Sequence, residues 1–182
     1  MKRIILLAFT CIFICYACEE ENNEPKAKGE ITLSSEILGT SIYYVNGYSF
    51  EEEKYVSSMN SDSDVSDIIP QNIIKPNQEI IGMVLSPGPG NSYGFYKNFE
   101  GENLSEAEDF YSNYIEVDIQ NFATLSDTLK AGQVFTFRTF KDNFVKFIVK
   151  EVRMSPGLFP EGYVEADIKY NIQQDGSAVF DQ

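Results

Sequence analysis

The chain has 182 residues, of which 28 are Asp or Glu and 14 are Lys or Arg, and its formal net charge at pH 7 is −14. Such an acidic surface repels phosphate backbones, which argues against a nucleic-acid partner. The chain also contains no histidine, so Ser-His-Asp catalysis, Cys-His catalysis and histidine-bound zinc are excluded.

The first 17 residues predict a signal peptide. Lys2 and Arg3 precede an uncharged apolar run at residues 4–15, which is shorter than the roughly 20 residues that a helix needs to cross a bilayer core. A basic start, a short apolar stretch and a small residue before the cleavage point are the features of a secretory signal. Here the small residue is Ala17, and Cys18 follows it.

Residues 15–18, Cys-Tyr-Ala-Cys, resemble the lipobox of bacterial lipoproteins, in which the peptidase cuts before a cysteine that carries lipid. The commonest lipobox has Leu where Cys15 stands and Ser or Ala where Tyr16 stands. The resemblance implies that Cys18 is lipidated, and two or more acyl chains anchor a protein stably to a membrane. The alternative is an ordinary secretory peptide cut after Ala17. Either way, the chain beyond Cys18 has no cysteine and no disulfide framework.

Residues 19–25, EEENNEP, are too polar and too acidic to bury apolar area, and we expect a solvated tether. The segment resembles the acidic export signal of Bacteroidetes lipoproteins, which implies a location on the extracellular face of the bacterial outer membrane. A plain spacer is the alternative. The predicted organisation is a signal peptide at 1–17, a lipidated cysteine with a tether at 18–29, and a single β-rich domain at 30–182.

Apolar residues in that domain recur mostly at every second position, which is typical of half-buried strands. The pattern predicts early strands on either side of Gly39, later strands at 78–85 and 93–96, and a long loop at 51–66. It predicts one helix at 106–114, with Ser105 as N-cap and Glu108 completing a capping box.

The last third of the chain gives the clearest pattern. Residues 133–140 and 144–152 flank the turn residues 141–143 and predict a hairpin, while residues 163–172 alternate between apolar and polar side chains. A short final strand is expected at 178–180. We therefore predict a mostly β fold, a single antiparallel β-sandwich-like domain with one short helix.

No motif in the domain predicts catalysis or a metal site. The acidic loop at residues 60–67 offers oxygen ligands at alternate positions, as calcium requires. However, Val65 and Gln71 stand where an EF-hand needs glycine and glutamate, and a solvated turn is favoured. No two carboxylates are marked as an acid/base pair. We expect no catalytic residues and no enzyme activity.

Residues 134–152 and 162–180 resemble the C-terminal strands of the HmuY-like surface lipoproteins of Bacteroidetes. The resemblance is carried by short motifs: Arg138-Thr139, Phe144-Val145-Lys146, Tyr170 and Gln174-Asp175-Gly176-Ser177. It implies a mostly β domain on the cell surface, and some members of that family capture haem for an outer-membrane receptor.

Family members that bind haem hold the iron with two histidines or two methionines. This chain has no histidine, and its methionines beyond the leader are Met59, Met83 and Met154. The resemblance therefore implies thioether ligation if haem is bound, and Met83 and Met154 are the candidate ligand-binding residues. Core packing is the ordinary role of such methionines.

Two hypotheses for function remain open. The first is a non-catalytic binding lipoprotein that captures haem, another tetrapyrrole or another apolar ligand beside an outer-membrane receptor or transporter. It predicts a concave aromatic pocket with Met83 or Met154 in its wall. The second is a structural or interaction lipoprotein without a small ligand, which contacts another envelope protein. It predicts a filled core and an exposed apolar patch.

Overall fold

The computed structural model describes residues 28–59, 65–117 and 121–180. Within these residues the chain forms nine strands and one helix. In chain order they are β1 (Lys28–Ser34), β2 (Asn46–Ser49), β3 (Lys54–Ser57), β4 (Ile68–Ile74), β5 (Ile80–Pro87), β6 (Phe95–Glu100), α1 (Leu104–Asn113), β7 (Gln133–Arg138), β8 (Phe144–Ser155) and β9 (Tyr163–Gln173).

The strands form two antiparallel sheets. The five-stranded sheet has the order β1-β9-β8-β7-β6, and the four-stranded sheet has the order β3-β2-β4-β5. The predicted hairpin is β7–β8, in which Arg138 pairs with Phe144. The prediction of a mostly β, antiparallel, sandwich-like domain with one short helix is confirmed.

The core lies between the two sheets. Strand β9 shows why, because its apolar residues alternate with polar ones and every inward-facing side chain from Val164 to Ile172 is buried. These inward side chains are Val164, Ala166, Ile168, Tyr170 and Ile172. The four-stranded sheet contributes Tyr48, Ile68, Met83 and Leu85 to the same cluster. The predicted inward face of β9 is therefore confirmed.

Helix α1 packs on the outer face of the five-stranded sheet, where Ala107 and Tyr111 meet Val134 and Ile148. The predicted N-cap was wrong. Asn103 caps the helix, and its side-chain oxygen accepts a hydrogen bond from the Glu106 backbone amide at 3.0 Å.

Glu106 returns the interaction, because its carboxylate accepts from the Asn103 side-chain amide at 2.8 Å. The capping pair therefore lies two residues earlier than Ser105 and Glu108. It satisfies one of the free amides of the first turn, that of Glu106.

The predicted long loop at 51–66 was also wrong in part, because β3 lies within it. Its sequence carries few apolar residues, and the strand exists because it pairs along its whole length with β2. Strand β4 was not predicted, since Pro70 interrupts its pattern. Pro70 is tolerated because β4 pairs with β2 at Ile68 alone, which leaves that side open beyond Ile68.

At the C-terminus, the expected final strand is reduced to one bridge between Val179 and Glu116. Strand β1 begins at Lys28, just before the predicted domain boundary. Most of the acidic calcium candidate, residues 60–64, lies outside the described residues, as do the signal peptide and Cys18.

Candidate functional site

A cavity of about 770 Å³ opens where β1, the edge strand of one sheet, passes the β2–β3 hairpin of the other. We call it the tyrosine groove. Its lining residues are Lys28, Gly29, Glu30, Ile31, Thr32, Tyr48, Glu53, Tyr55, Lys150, Asp167, Ile168 and Tyr170. It is therefore a polar groove with three tyrosines and charged groups of both signs.

Two of the tyrosines come from opposite sheets and meet in the groove. Tyr48 lies on β2 and Tyr170 on β9, and their hydroxyl oxygens are 3.3 Å apart, so either can donate to the other. Burial raises the pKa of both hydroxyls, and the nearby negative charge of Glu53 acts in the same direction. Both tyrosines are therefore neutral hydrogen-bonding groups at any physiological pH.

The backbone of β1 passes closely over Tyr170. A Cβ atom added at Gly29 would lie 2.7 Å from the Tyr170 hydroxyl oxygen. The register of the sheet places Gly29 directly opposite Tyr170. Glycine at this position therefore leaves room for the tyrosine head group beside the groove.

Tyr55 on β3 is the third tyrosine of the groove, and it contacts both β1 and Tyr48. Its hydroxyl donates to the backbone carbonyl of Thr32 on β1 at 2.8 Å, and its ring meets that of Tyr48 edge to face at 5.3 Å. Half of the side chain is exposed. Tyr55 thus offers an open aromatic surface whose position is fixed by a hydrogen bond.

Glu53 is the least satisfied group in the groove. It lies in the turn between β2 and β3, with φ of 50°, a left-handed conformation that costs energy for a residue with a side chain. Its Oε1 atom is buried and has no hydrogen-bond partner among the described residues. A buried carboxylate oxygen without a donor is costly. The groove therefore contains a hydrogen-bond acceptor that a ligand with a donor group could satisfy.

Asp167 on β9 is another carboxylate of the groove, and it already has hydrogen-bond partners. Arg153 donates to its Oδ1 at 2.8 Å, and Thr32 donates to the same oxygen at 2.6 Å. The hydrogen bond from Arg153 is the largest cause of the lowered pKa of Asp167. Asp167 thus holds β1 and the Arg153 side chain at the groove wall.

A second cavity, of about 360 Å³, is more apolar. Its walls include Ile37, Tyr43, Ile74 and Phe159. Tyr43 is 62% exposed and so is its neighbour Ile42. We call this region the apolar patch.

A buried aspartate and a half-buried glutamate lie elsewhere, where β2 ends and β4 begins. Asp67 is 1% exposed, and its carboxylate accepts from the backbone amides of Phe50 at 2.8 Å and Phe140 at 3.1 Å. Burial raises the pKa of Asp67 to about 6, with the charge of Glu51 adding to the effect. Glu51 accepts from the Thr139 hydroxyl at 2.6 Å. Neither acid lines a cavity described above, and their hydrogen bonds tie the segments that carry Phe50, Phe140 and Thr139 together.

The candidate haem ligands lie apart from both cavities. Met83 is completely buried in the core cluster between the sheets. Met154 is 54% exposed at the far end of β8. Neither residue lines the tyrosine groove or the apolar patch. The lipidation candidate Cys18 lies outside the described residues.

The tyrosine groove was not found by sequence reasoning. Tyr48 lies in a predicted strand region and Tyr170 in the clearest predicted strand, but no sequence pattern indicates that they meet. The one local signal was the run Glu51–Glu53, two residues before Tyr55, and the sequence placed it in the predicted long loop at 51–66.

The chain matches no protein-family model and none of the curated proteins. In the part of the chain that the structure describes, no helix is both long and apolar enough to span a bilayer. No group of three or more acidic or cysteine side chains among those same residues is arranged to hold a metal ion.

Proposed function

We propose that this chain is an outer-membrane lipoprotein, anchored through Cys18 and exposed on the extracellular face, that binds a small polar ligand without catalysis. The signal peptide, the lipobox-like Cys-Tyr-Ala-Cys and the acidic run behind it support the anchor. The observation that best supports ligand binding is the buried Oε1 atom of Glu53 in the tyrosine groove, which has no hydrogen-bond partner among the described residues.

The groove favours a ligand that brings hydrogen-bond donors and a flat apolar face. Glu53 supplies an acceptor, and the Tyr48–Tyr170 hydroxyl pair supplies groups that both donate and accept. The half-exposed ring of Tyr55 provides a surface for stacking. A saccharide combines hydroxyl donors with a face of C–H groups, and it is the ligand class that we propose.

A tetrapyrrole held by Met83 and Met154 is less well supported by the geometry. Met83 has no exposed surface, so its sulfur would reach iron only if the core opened. A binding lipoprotein of either kind would pass its ligand to an outer-membrane receptor or transporter, which is the partner that we propose.

The apolar patch favours a second function, contact with another envelope protein. Ile42 and Tyr43 are each 62% exposed and Ile74 is 40% exposed. Exposed apolar groups that lie together are typical of protein interfaces. In this reading the tyrosine groove has no ligand and the patch meets the partner.

A titration of the full chain, purified in detergent, with neutral mono- and disaccharides tests the proposal. We expect saturable binding by calorimetry that Glu53→Gln and Tyr55→Ala each weaken about tenfold or more, since each loses a hydrogen bond or a stacking surface. Glu52→Gln is the matched control, because Glu52 is exposed and pairs with Lys54 at 2.7 Å.

Haemin provides the contrasting probe. A saturable shift of its visible absorption that disappears in Met83→Ala or Met154→Ala would overturn the saccharide proposal in favour of haem capture. Absence of binding to every saccharide and to haemin would favour the interaction function through the apolar patch.

A further inference from the structure

Three lysines converge on the outer face of the five-stranded sheet. Lys28 on β1 lies opposite Asn171 on β9, and Asn171 lies opposite Lys146 on β8. Lys169 is two residues before Asn171 and therefore points to the same face. All four side chains line a cavity of about 280 Å³ beneath the end of α1. We call it the lysine cavity.

Lys146 is the deepest of the three and is only 3% exposed. Its ammonium group donates to the backbone carbonyls of Tyr111 at 2.9 Å and Tyr114 at 2.6 Å, at the end of α1. An ammonium group has three N–H donors, so one remains after these two bonds. Lys146 thus supports the helix end and keeps one N–H beyond the two that these carbonyls accept.

No carboxylate of the described residues lines this cavity, although the chain as a whole is strongly acidic. Among the described residues, none of the three lysines forms an ion pair with an acidic side chain. Glu30, which lies opposite Lys169 on β1, is exposed, and its charge helps burial to raise the pKa of Tyr111, so one carboxylate lies near three lysines. The site therefore has excess positive charge.

The lowered pKa of Lys146 agrees with this excess of positive charge. Burial lowers the pKa of Lys146 to about 8, and the positive charges of Lys28 and Lys169 act in the same direction. Uncompensated like charges held together in a cavity destabilise the folded protein, and an anion among them would relieve that repulsion.

A second, independent observation lies in the same cavity. Tyr111 also lines it and is 94% buried, yet its hydroxyl group has no hydrogen-bond partner among the described residues. Its ring lies under the ammonium groups of Lys146 and Lys169, with ring-centre distances of 4.8 Å and 5.7 Å. Buried hydroxyl groups are normally paired, so this group has a place for an acceptor.

We propose that the lysine cavity binds a sulfate or phosphate group carried by the ligand of the tyrosine groove. The two cavities share Lys28 and Tyr170 in their linings and therefore adjoin at the β1 edge of the five-stranded sheet, and the proposed ligand spans both. The lysine ammonium groups and the Tyr111 hydroxyl supply donors, and an oxyanion supplies acceptors and negative charge. This inference rests on the proposed saccharide function and narrows it to acidic saccharides.

The test compares three probes on the full chain in detergent: inorganic sulfate, galactose and galactose 6-sulfate, with the phosphate counterparts as a second set. We expect galactose 6-sulfate to bind at least tenfold more tightly than either galactose or sulfate alone. The advantage is expected to fall as NaCl increases, because salt screens the lysine charges.

Variants separate the two cavities. Lys169→Gln removes a charge that lines the lysine cavity but not the tyrosine groove, and it is expected to weaken galactose 6-sulfate about fivefold while leaving galactose unchanged. Lys130→Gln is the matched control, since Lys130 is exposed and pairs with Glu100 instead. Lys146→Met removes the deepest charge and is read together with a thermal unfolding curve, because it also removes support from α1.

Equal affinity for galactose and galactose 6-sulfate would overturn the inference and leave the saccharide function standing. Binding of free sulfate with no gain from the attached sugar would also overturn it, since the oxyanion would then come from solution. Loss of binding for all sugars, neutral and acidic, would instead contradict the proposed function itself.

Discussion

The hydroxyl oxygens of Tyr48 and Tyr170 lie 3.3 Å apart, although the two residues belong to opposite sheets of the sandwich. Both rings are buried to within 3% of completely, and both contact Phe50 edge to face, at 5.3 Å and 5.0 Å. The pair is therefore a polar contact at the margin of an aromatic core, and it joins the walls of the tyrosine groove.

Removing one hydroxyl of this pair leaves the other without its partner. We expect Tyr48→Phe and Tyr170→Phe each to lower the free energy of unfolding by about 1 kcal/mol, with the double variant losing less than the sum of the two. Urea unfolding measures all three. Tyr96→Phe, on the exposed side of β6, is the control. Strict additivity would show that the two hydroxyls are not coupled.

Asp67 predicts a particular dependence of stability on pH. Its folded-state pKa of about 6 is above the ordinary value of 3.8, so the folded protein holds this proton more tightly. The associated stability is fully present below about pH 4 and is lost as pH rises through 6, by up to about 3 kcal/mol.

Asp67→Asn should remove that fall in stability between pH 4 and 6. Below pH 4, where Asp67 is protonated, the variant should be less stable than the parent, because Phe50 and Phe140 donate to different oxygens of Asp67 and an amide has only one oxygen. Chemical unfolding at several pH values measures both effects, and Asp109→Asn on the exposed face of α1 is the control. An unchanged slope in Asp67→Asn would refute the assignment.

The two candidate haem ligands should differ sharply in their effect on stability. Met83→Ala empties space in the core cluster and is expected to cost about 2–5 kcal/mol. Met154→Ala changes a side chain that is 54% exposed and is expected to stay within about 0.5 kcal/mol of the parent. Similar losses in the two variants, measured by denaturant unfolding, would contradict the placement of Met83 in the core.

The N-cap of α1 can be tested with two alanine variants. Asn103→Ala removes the side-chain oxygen that accepts from the Glu106 amide and is expected to lower the free energy of unfolding by about 1 kcal/mol. Ser105→Ala lies inside the first turn and is expected to have little effect. If Ser105→Ala lowers the thermal stability more than Asn103→Ala does, Ser105 is the N-cap, as the sequence predicted.

The proposed anchor is tested in cells. Cys18→Ser removes the thiol that would carry lipid, and we expect it to abolish incorporation of radiolabelled palmitate and to release the protein from the membrane fraction. Cys15→Ser is the control, because it keeps Cys18. A parent protein that incorporates no palmitate would favour an ordinary secretory peptide. If the parent is labelled, protease added outside intact cells tests whether the anchored protein is on the extracellular face.

The sequence predicted the parts of the fold in which one strand face is fully buried. Strand β9 alternates cleanly because its inner side chains enter the core and its outer ones meet water or α1. Strand β3 could not be predicted, because its stability comes from pairing with β2 rather than from its own composition. Strand β4 could not be predicted because Pro70 interrupts its sequence pattern. The proline is tolerated because β2, the neighbour of β4 on one side, is short and pairs with it only at Ile68.

The candidate site depends on long-range geometry and could not be read from the sequence. Tyr48 and Tyr170 are 122 residues apart, and the unpartnered state of Glu53 is evident only when its surroundings are known. The lysine cavity is similar, since Lys28, Lys146 and Lys169 become neighbours only through the register of three strands. Met83 and Met154 were considered for their chemistry alone, and chemistry does not reveal burial.

The pairing of the first strand with the last has a kinetic consequence. Strand β1 begins at Lys28 and pairs with β9, which ends at Gln173, so the five-stranded sheet cannot be completed until nearly the whole chain is available. Contacts this distant in sequence slow folding. If the chain is exported as we propose, slow formation of the β1–β9 pairing keeps the polypeptide unfolded while it passes through a secretion channel. The five-stranded sheet is then completed only after β9 has crossed the membrane.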